Sequence, residues 1–256
     1  MKRLEKLFAA KKKDILNVYC TAGFPHLNST IEVLHALQNS GADIIELGMP
    51  YSDPLADGEV IQNSSSAAIA NGMTIPVLFE QLNHFRKDIH LPVILMGYMN
   101  PVLQYGFEKF CADAAAVGID GLILPDLPMY EFETIYGPIL KQYELDFIFL
   151  VTPETTEERI RKLDSLSSGF LYAVTSSSTT GGESSLQDTS GFLQRLKGYQ
   201  LNNPVLAGFG IKDKISFNAI CQYTNGAIIG SAYIKALTTP GDIAADTQNF
   251  LNSVLK

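Results

Sequence analysis

Short apolar blocks alternate with longer amphipathic stretches along all 256 residues of this chain. The blocks cover residues 16–20, 43–47, 93–96, 122–124, 147–151, 170–174, 205–207 and 227–229. Each is too short for a stable helix, and most run apolar without alternation. That is the pattern of strands buried on both faces of a parallel sheet.

The stretches between them have helical length and period. Ser29 with Glu32 reads as a capping box ahead of Ile31, Val33, Leu34 and Leu37, and Thr155 with Glu158 repeats the device before Ile160 and Leu163. Further helices are expected over residues 76–86, 107–117, 131–143, 191–197, 215–221 and 243–255. Residues 1–14 are basic with one apolar patch, and read as a short amphipathic helix lying on the barrel. A local phrase recurs where helices end and strands begin: Gly41-Ala42-Asp43, Gly118-Ile119-Asp120 and, more loosely, Asn225-Gly226-Ala227. Short joints before the strands and longer loops after them suit a barrel whose chemistry lies at the strand C-termini. The expected architecture is therefore a single (β/α)8 (TIM) barrel spanning residues 1–256, with an N-terminal helix and long loops after strands 2 and 6. A doubly wound open sheet is the structural alternative.

Composition narrows the function. A net charge of −8 argues against nucleic-acid binding, which needs clustered Lys and Arg. Cys20, Cys111 and Cys221 are widely spaced, which disfavours a disulfide framework or zinc site and fits a reducing cytoplasm. No apolar run is long enough for a membrane helix. No Lys lies in a predicted strand, so a Schiff-base aldolase is poorly supported, and His26, His35, His84 and His90 are not at metal-ligand spacing.

The segment from Glu46 to Gly58 carries the candidate chemistry. Glu46 falls inside the run Ile44-Ile45-Glu46-Leu47, where desolvation would raise its carboxyl pKa, whereas Asp57 sits at a loop tip where it is expected to stay ionised. Two carboxylates with separated pKa values can divide acid from base work. The competing reading pairs Glu46 with a cation and makes Asp57 the cap of a helix starting near Gly58.

Glycine turns follow the last three strands: Thr180-Gly181-Gly182, Gly208-Phe209-Gly210 and Gly230-Ser231. A short helix over residues 231–236 would aim its N-terminal N–H groups at the same point, which suits a phosphate. Tyr19 and Tyr172, at or near strands one and six, could wall a flat ring by stacking. Residues 175–189, rich in Ser, Thr and Gly, have the composition of a lid.

The segment Glu46-Leu47-Gly48-Met49-Pro50-Tyr51-Ser52-Asp53-Pro54-Leu55-Ala56-Asp57-Gly58 resembles the signature of the tryptophan synthase alpha family at every fixed position. The resemblance implies cleavage of indole-3-glycerol phosphate to indole and glyceraldehyde 3-phosphate, with Glu46 as acid/base assisted by Asp57. It implies an indole pocket of Tyr19, Ile61, Tyr98, Ile123, Tyr172 and Phe209, and a phosphate cradle of Gly181, Gly210, Gly230 and Ser231. Asp53 and Thr180 are similar to residues the family uses in closure and coupling. The chain departs from the family where many members carry Arg and Gly before Thr180-Gly181. A beta chain holding pyridoxal phosphate is the implied partner, in an alpha2-beta2 tetramer, with no cofactor in this chain. Another phosphate-binding barrel enzyme, of isomerase, epimerase or indole-glycerol-phosphate synthase type, would share the cradle but not the Glu46–Gly58 segment. A non-catalytic barrel serving only as a regulatory partner is the other alternative.

Overall fold

A computed structural model describes residues 1–175, 186–208, 210–238 and 241–256, with backbone only for 186–189. Among these residues, nine strands form one parallel sheet. They are β1 (Ile15–Thr21), β2 (Ile44–Gly48), β3 (Val93–Met96), β4 (Gly121–Ile123), β5 (Asp146–Phe147), β6 (Leu150–Val151), β7 (Leu171–Val174), β8 (Val205–Gly208) and β9 (Gly226–Ile229). The strand order is β5-β4-β3-β2-β1-β9-β8-β7-β6. The two end strands, β5 and β6, belong to one extended segment. Ile148 donates its N–H to Leu122 on one side, while Phe149 accepts the N–H of Tyr172 on the other. The sheet therefore closes on itself as eight staves, a (β/α)8 barrel, and the fifth expected strand is split at the closure. An open doubly wound sheet would leave two free edges.

Alternation along the staves separates two cores. Ile15, Ile44, Ile94, Ile123, Ile148, Leu206 and Ile228 fill the interior, while Val18, Ile45, Leu47, Leu95, Leu122 and Ala207 face the surrounding helices. Burial of each large apolar side chain contributes roughly 1.5–3 kcal/mol.

The helix Arg3–Ala10 does not lie on the outside of the barrel. It plugs the base: Leu4 and Phe8 belong to the interior core, with the Phe8 and Phe170 rings 6.2 Å apart. Its cations pair with carboxylates at strand starts, Lys2 with Asp146 at 2.7 Å and Arg3 with Asp120 at 3.0 Å. The recurring joint phrase has a structural meaning here. Gly41 and Gly118 end their helices in the left-handed region. The aspartate two residues on then accepts an N–H at the start of the preceding stave: Asp43 from Leu16 at 2.8 Å, Asp120 from Val93 at 2.8 Å. Asn225 does the same for Val205 at 2.9 Å. The strand N-termini are thus latched, which leaves the opposite mouth to vary.

Several expected helix details differ, among them the helix expected over 76–86, which ends at Gln81. Ser29 precedes the helix Thr30–Ser40 without a side-chain cap, because its hydroxyl accepts the His26 N–H within a tight turn. Thr156, not Thr155, caps Glu157–Leu166, and Thr155 instead accepts the Thr152 N–H. The stretch expected as one helix over 131–143 is broken by a π turn at Phe132–Tyr136, where Phe132 packs on Phe147 and Phe149.

Candidate active site

The strand C-termini open onto a cavity of about 850 Å³. Its floor is built by period two. In β2 the inward positions are Ile44, Glu46 and Gly48, and Glu46 is 1 % exposed. In β1, paired in register Tyr19↔Glu46, the same face carries Asn17, Tyr19 and Thr21. Tyr19 and Tyr172 cross the mouth from β1 and β7, and each depends on a glycine in the next stave. A Cβ on Gly48 would sit 2.1 Å from the Tyr19 hydroxyl, and one on Gly208 would sit 2.5 Å from that of Tyr172.

Glu46 forms no ion pair among the described residues. Its partner is an amide: Asn17 Nδ2 donates to Glu46 Oε2 at 2.9 Å. Burial pushes the Glu46 carboxyl up to about 8; the Asn17 hydrogen bond opposes the rise and the charge of Asp57 adds to it. At neutral pH Glu46 therefore holds a proton.

Asp57 follows on the loop after β2, just before the helix Glu59–Ala70, whose N-cap is Gly58. The helix begins where the competing reading placed it, but no side chain caps it. Asp57 instead bonds the Tyr98 hydroxyl, and is not at a free loop tip. Partial burial raises its pKa, and the Tyr98 hydrogen bond opposes the rise. Tyr98 also accepts the Ala56 N–H at 3.1 Å, so it holds two consecutive loop residues. A buried chain of hydroxyls, Tyr19 to Thr21 at 3.5 Å and Thr21 to Ser64 at 2.7 Å, ties β1 to the same helix, which contributes Ile61 to the cavity wall.

At the far side, Gly210 is left-handed with φ +75°, and Gly230 leads directly into the helix Ser231–Thr238. That helix is two residues longer than the sequence pattern suggests.

Of the residues singled out in the sequence, Tyr19, Glu46, Asp57, Ile61, Tyr172, Gly210, Gly230 and Ser231 line this one cavity. Tyr98 stands behind the loop that carries Asp57. Ile123 lies below the cavity in the fully buried barrel interior, while its neighbours Met96, Leu124 and Ile148 reach the wall. Asp53 is exposed on the loop, where Ser52 Oγ donates to it at 2.5 Å. Thr180, Gly181, Gly182 and Phe209 lie outside the described residues, as does most of the expected lid. Sequence reasoning missed Asn17, although an amide inside an otherwise apolar strand was a usable signal. It also missed Lys212 and Lys235, which line the cavity beside Gly210 and Ser231. Nothing in their local pattern separates them from surface lysines.

Fold and site define a (β/α)8-barrel protein with a buried carboxyl at a strand C-terminus, its pKa pushed up to about 8, and a second carboxyl on the adjoining loop. The model of the family "Tryptophan synthase alpha chain" matches residues 5–254. The alpha chain of Flavobacterium johnsoniae is 47 % identical over 245 residues, covering 94 % of this chain and 95 % of its own length. That of Christiangramia forsetii is 49 % identical over 228 residues, 89 % of each chain. Among solved structures, the alpha subunit of Legionella pneumophila superposes with a TM-score of 0.89 at 33 % identity, covering 99 % of this chain and 97 % of that one. Tryptophan synthase of M. tuberculosis in its aminoacrylate-bound form gives 0.86 at 32 % identity, covering 99 % and 100 %. The chain belongs to the tryptophan synthase alpha chain family.

Proposed function

We propose that this chain is the carbon–carbon lyase that splits indole-3-glycerol phosphate into indole and D-glyceraldehyde 3-phosphate, with Glu46 and Asp57 as its catalytic pair. The observation that carries this reading is a buried Glu46 sharing one cavity with Asp57 and with the glycine turns at Gly210 and Gly230, its carboxyl pKa pushed up by that burial to about 8.

The chemistry follows from what the bond requires. Glu46 gives its proton to indole C3, which converts the ring to an indolenine able to accept electrons. Glu46 then takes the proton of the hydroxyl on the adjoining carbon. That oxygen forms the aldehyde carbonyl, the carbon–carbon bond breaks, and its electron pair restores the aromatic ring. Glu46 ends as it began. Asp57 accepts a hydrogen bond from the indole N–H and stabilises the positive charge that develops there, an effect commonly worth a hundredfold or more. Tyr19, Ile61 and Tyr172 flank the ring, with Tyr98, Ile123 and Phe209 in support. Gly210, Gly230 and Ser231, with Gly181, hold the phosphate through main-chain N–H groups and the positive end of the Ser231–Thr238 helix. Anchoring that end fixes the reacting carbons against the two acids. Asp53 and Thr180 serve closure of the lid.

The family works with a beta chain. Here we infer an alpha2-beta2 tetramer in the cytoplasm, with pyridoxal phosphate in the beta chain and no cofactor in this one, and a single domain over residues 1–256. Among the described residues no helix is long and apolar enough to cross a membrane. The direct test mixes the purified chain with indole and glyceraldehyde 3-phosphate. Formation of the condensed product supports the reading, and its absence with and without a beta chain refutes it.

A further inference from the structure

Asn17 is an anomaly in the barrel interior. It has no exposed surface, and its inward neighbours along the staves are Ile15, Ile44, Ile94 and Ile228. Its Oδ1 has no hydrogen-bond partner among the described residues. A buried carbonyl left unsatisfied destabilises a fold, so an apolar side chain of the same size would suit the packing better. The one polar contact the amide makes is Nδ2 to Glu46 Oε2, at 2.9 Å.

We propose that Asn17 is a positioning residue of the cleavage reaction, tethering one oxygen of Glu46 and stabilising its ionised form in the interval between giving a proton and taking one. This rests on the acid/base reading of Glu46. A carboxyl that has just protonated carbon is a buried anion, and burial alone would make that anion too costly to form. The other groups facing Glu46 do not relieve it. Asp57, on the loop after β2, opposes its ionisation by charge. Tyr19 on β1 and Tyr172 on β7 have their own ionisation pushed up by burial, so they stay neutral beside it. Among the described residues, the Asn17 amide makes the hydrogen bond that favours the charged carboxylate.

The test replaces Asn17 by Leu, and separately by Val, and follows three readouts beside Glu46→Gln. The first is the pH profile of kcat/KM. The second is the carboxyl absorption of Glu46, titrated by infrared difference against Glu46→Gln, which needs no activity. The third is the thermal midpoint near about pH 6, where Glu46 is protonated. In the apolar variants we expect the Glu46 titration and the alkaline limb to move up together by about one pH unit. We expect kcat to fall about tenfold, KM to change less than about twofold, and the thermal midpoint to hold or rise. An unmoved titration with a lowered midpoint, or failure of both variants to fold, would mean that the amide serves packing and would overturn the inference. If Glu46→Gln keeps its activity, the acid/base reading itself fails, whatever Asn17 does. If Glu46→Gln is dead and the limb stays put in the Asn17 variants, only the present inference fails.

Discussion

The hydroxyl of Tyr98 bonds the Asp57 carboxylate while accepting the N–H of Ala56 at 3.1 Å, so one tyrosine from the loop after β3 sets the conformation of the loop after β2. Removing the hydroxyl in Tyr98→Phe deletes an interaction that now holds the Asp57 pKa down, and that pKa will rise further. The ionised form of Asp57 is then less favoured, and the loop is held less firmly. We expect kcat to drop about tenfold, which corresponds to losing one hydrogen bond to a charged group. Steady-state kinetics across pH check this, and the acid side of the profile should shift upward.

Asp57→Asn keeps the size of the side chain but removes the charge proposed to stabilise the developing indolenine cation. Turnover should fall about 10²–10³-fold, with substrate affinity changed only a few-fold. Single-turnover cleavage and equilibrium binding separate the two effects. A variant with wild-type turnover would make Asp57 a loop-shaping residue only.

Gly210 has φ +75°, and a Cβ there would meet no neighbour within 4 Å among the described residues. The cost of Gly210→Ala is therefore conformational, roughly 1–2 kcal/mol, and the loop will move to escape it. Displacing its N–H groups should raise KM for glyceraldehyde 3-phosphate about tenfold in the condensation assay while leaving KM for indole unchanged. Equal changes in both constants would place Gly210 outside the phosphate end.

Glu46 also makes a prediction about stability. Its pKa rises from 4.5 to about 8 on folding. Between those values the folded chain binds a proton that the unfolded chain has lost. The stabilisation from the protonated side chain is thus complete below about pH 4.5 and is lost as pH climbs through about 8, a swing on the order of a few kcal/mol. Urea denaturation at a series of pH values should show stability falling over this window in the wild type, with a flatter curve in Glu46→Gln. The same titration should cut wild-type kcat/KM above about pH 8, because the acid has lost its proton.

The barrel was legible in the sequence because its signal is repetitive. Eight short apolar runs and recurring Gly-x-Asp joints state one unit many times, and Glu46 stood out as a charge inside such a run. What was not legible depends on contacts between distant segments. The split of the fifth strand at Ile148 and Phe149 arises only where the ring closes. Leu4 and Phe8 read as one face of a surface helix, because no local pattern reveals that the face enters the barrel base. Asp57 read as a loop-tip acid, since its partner Tyr98 is 41 residues away. Lys212 and Lys235 gain meaning only from the cavity they line.

The most direct measurement is single-turnover cleavage of indole-3-glycerol phosphate by Glu46→Gln at about pH 7, alongside equilibrium binding of the same substrate. Binding within a few-fold of wild type, with cleavage reduced at least about a thousandfold, is the result expected of a chain whose proposed proton donor at this bond has been removed. Cleavage at more than about a tenth of the wild-type rate would contradict it.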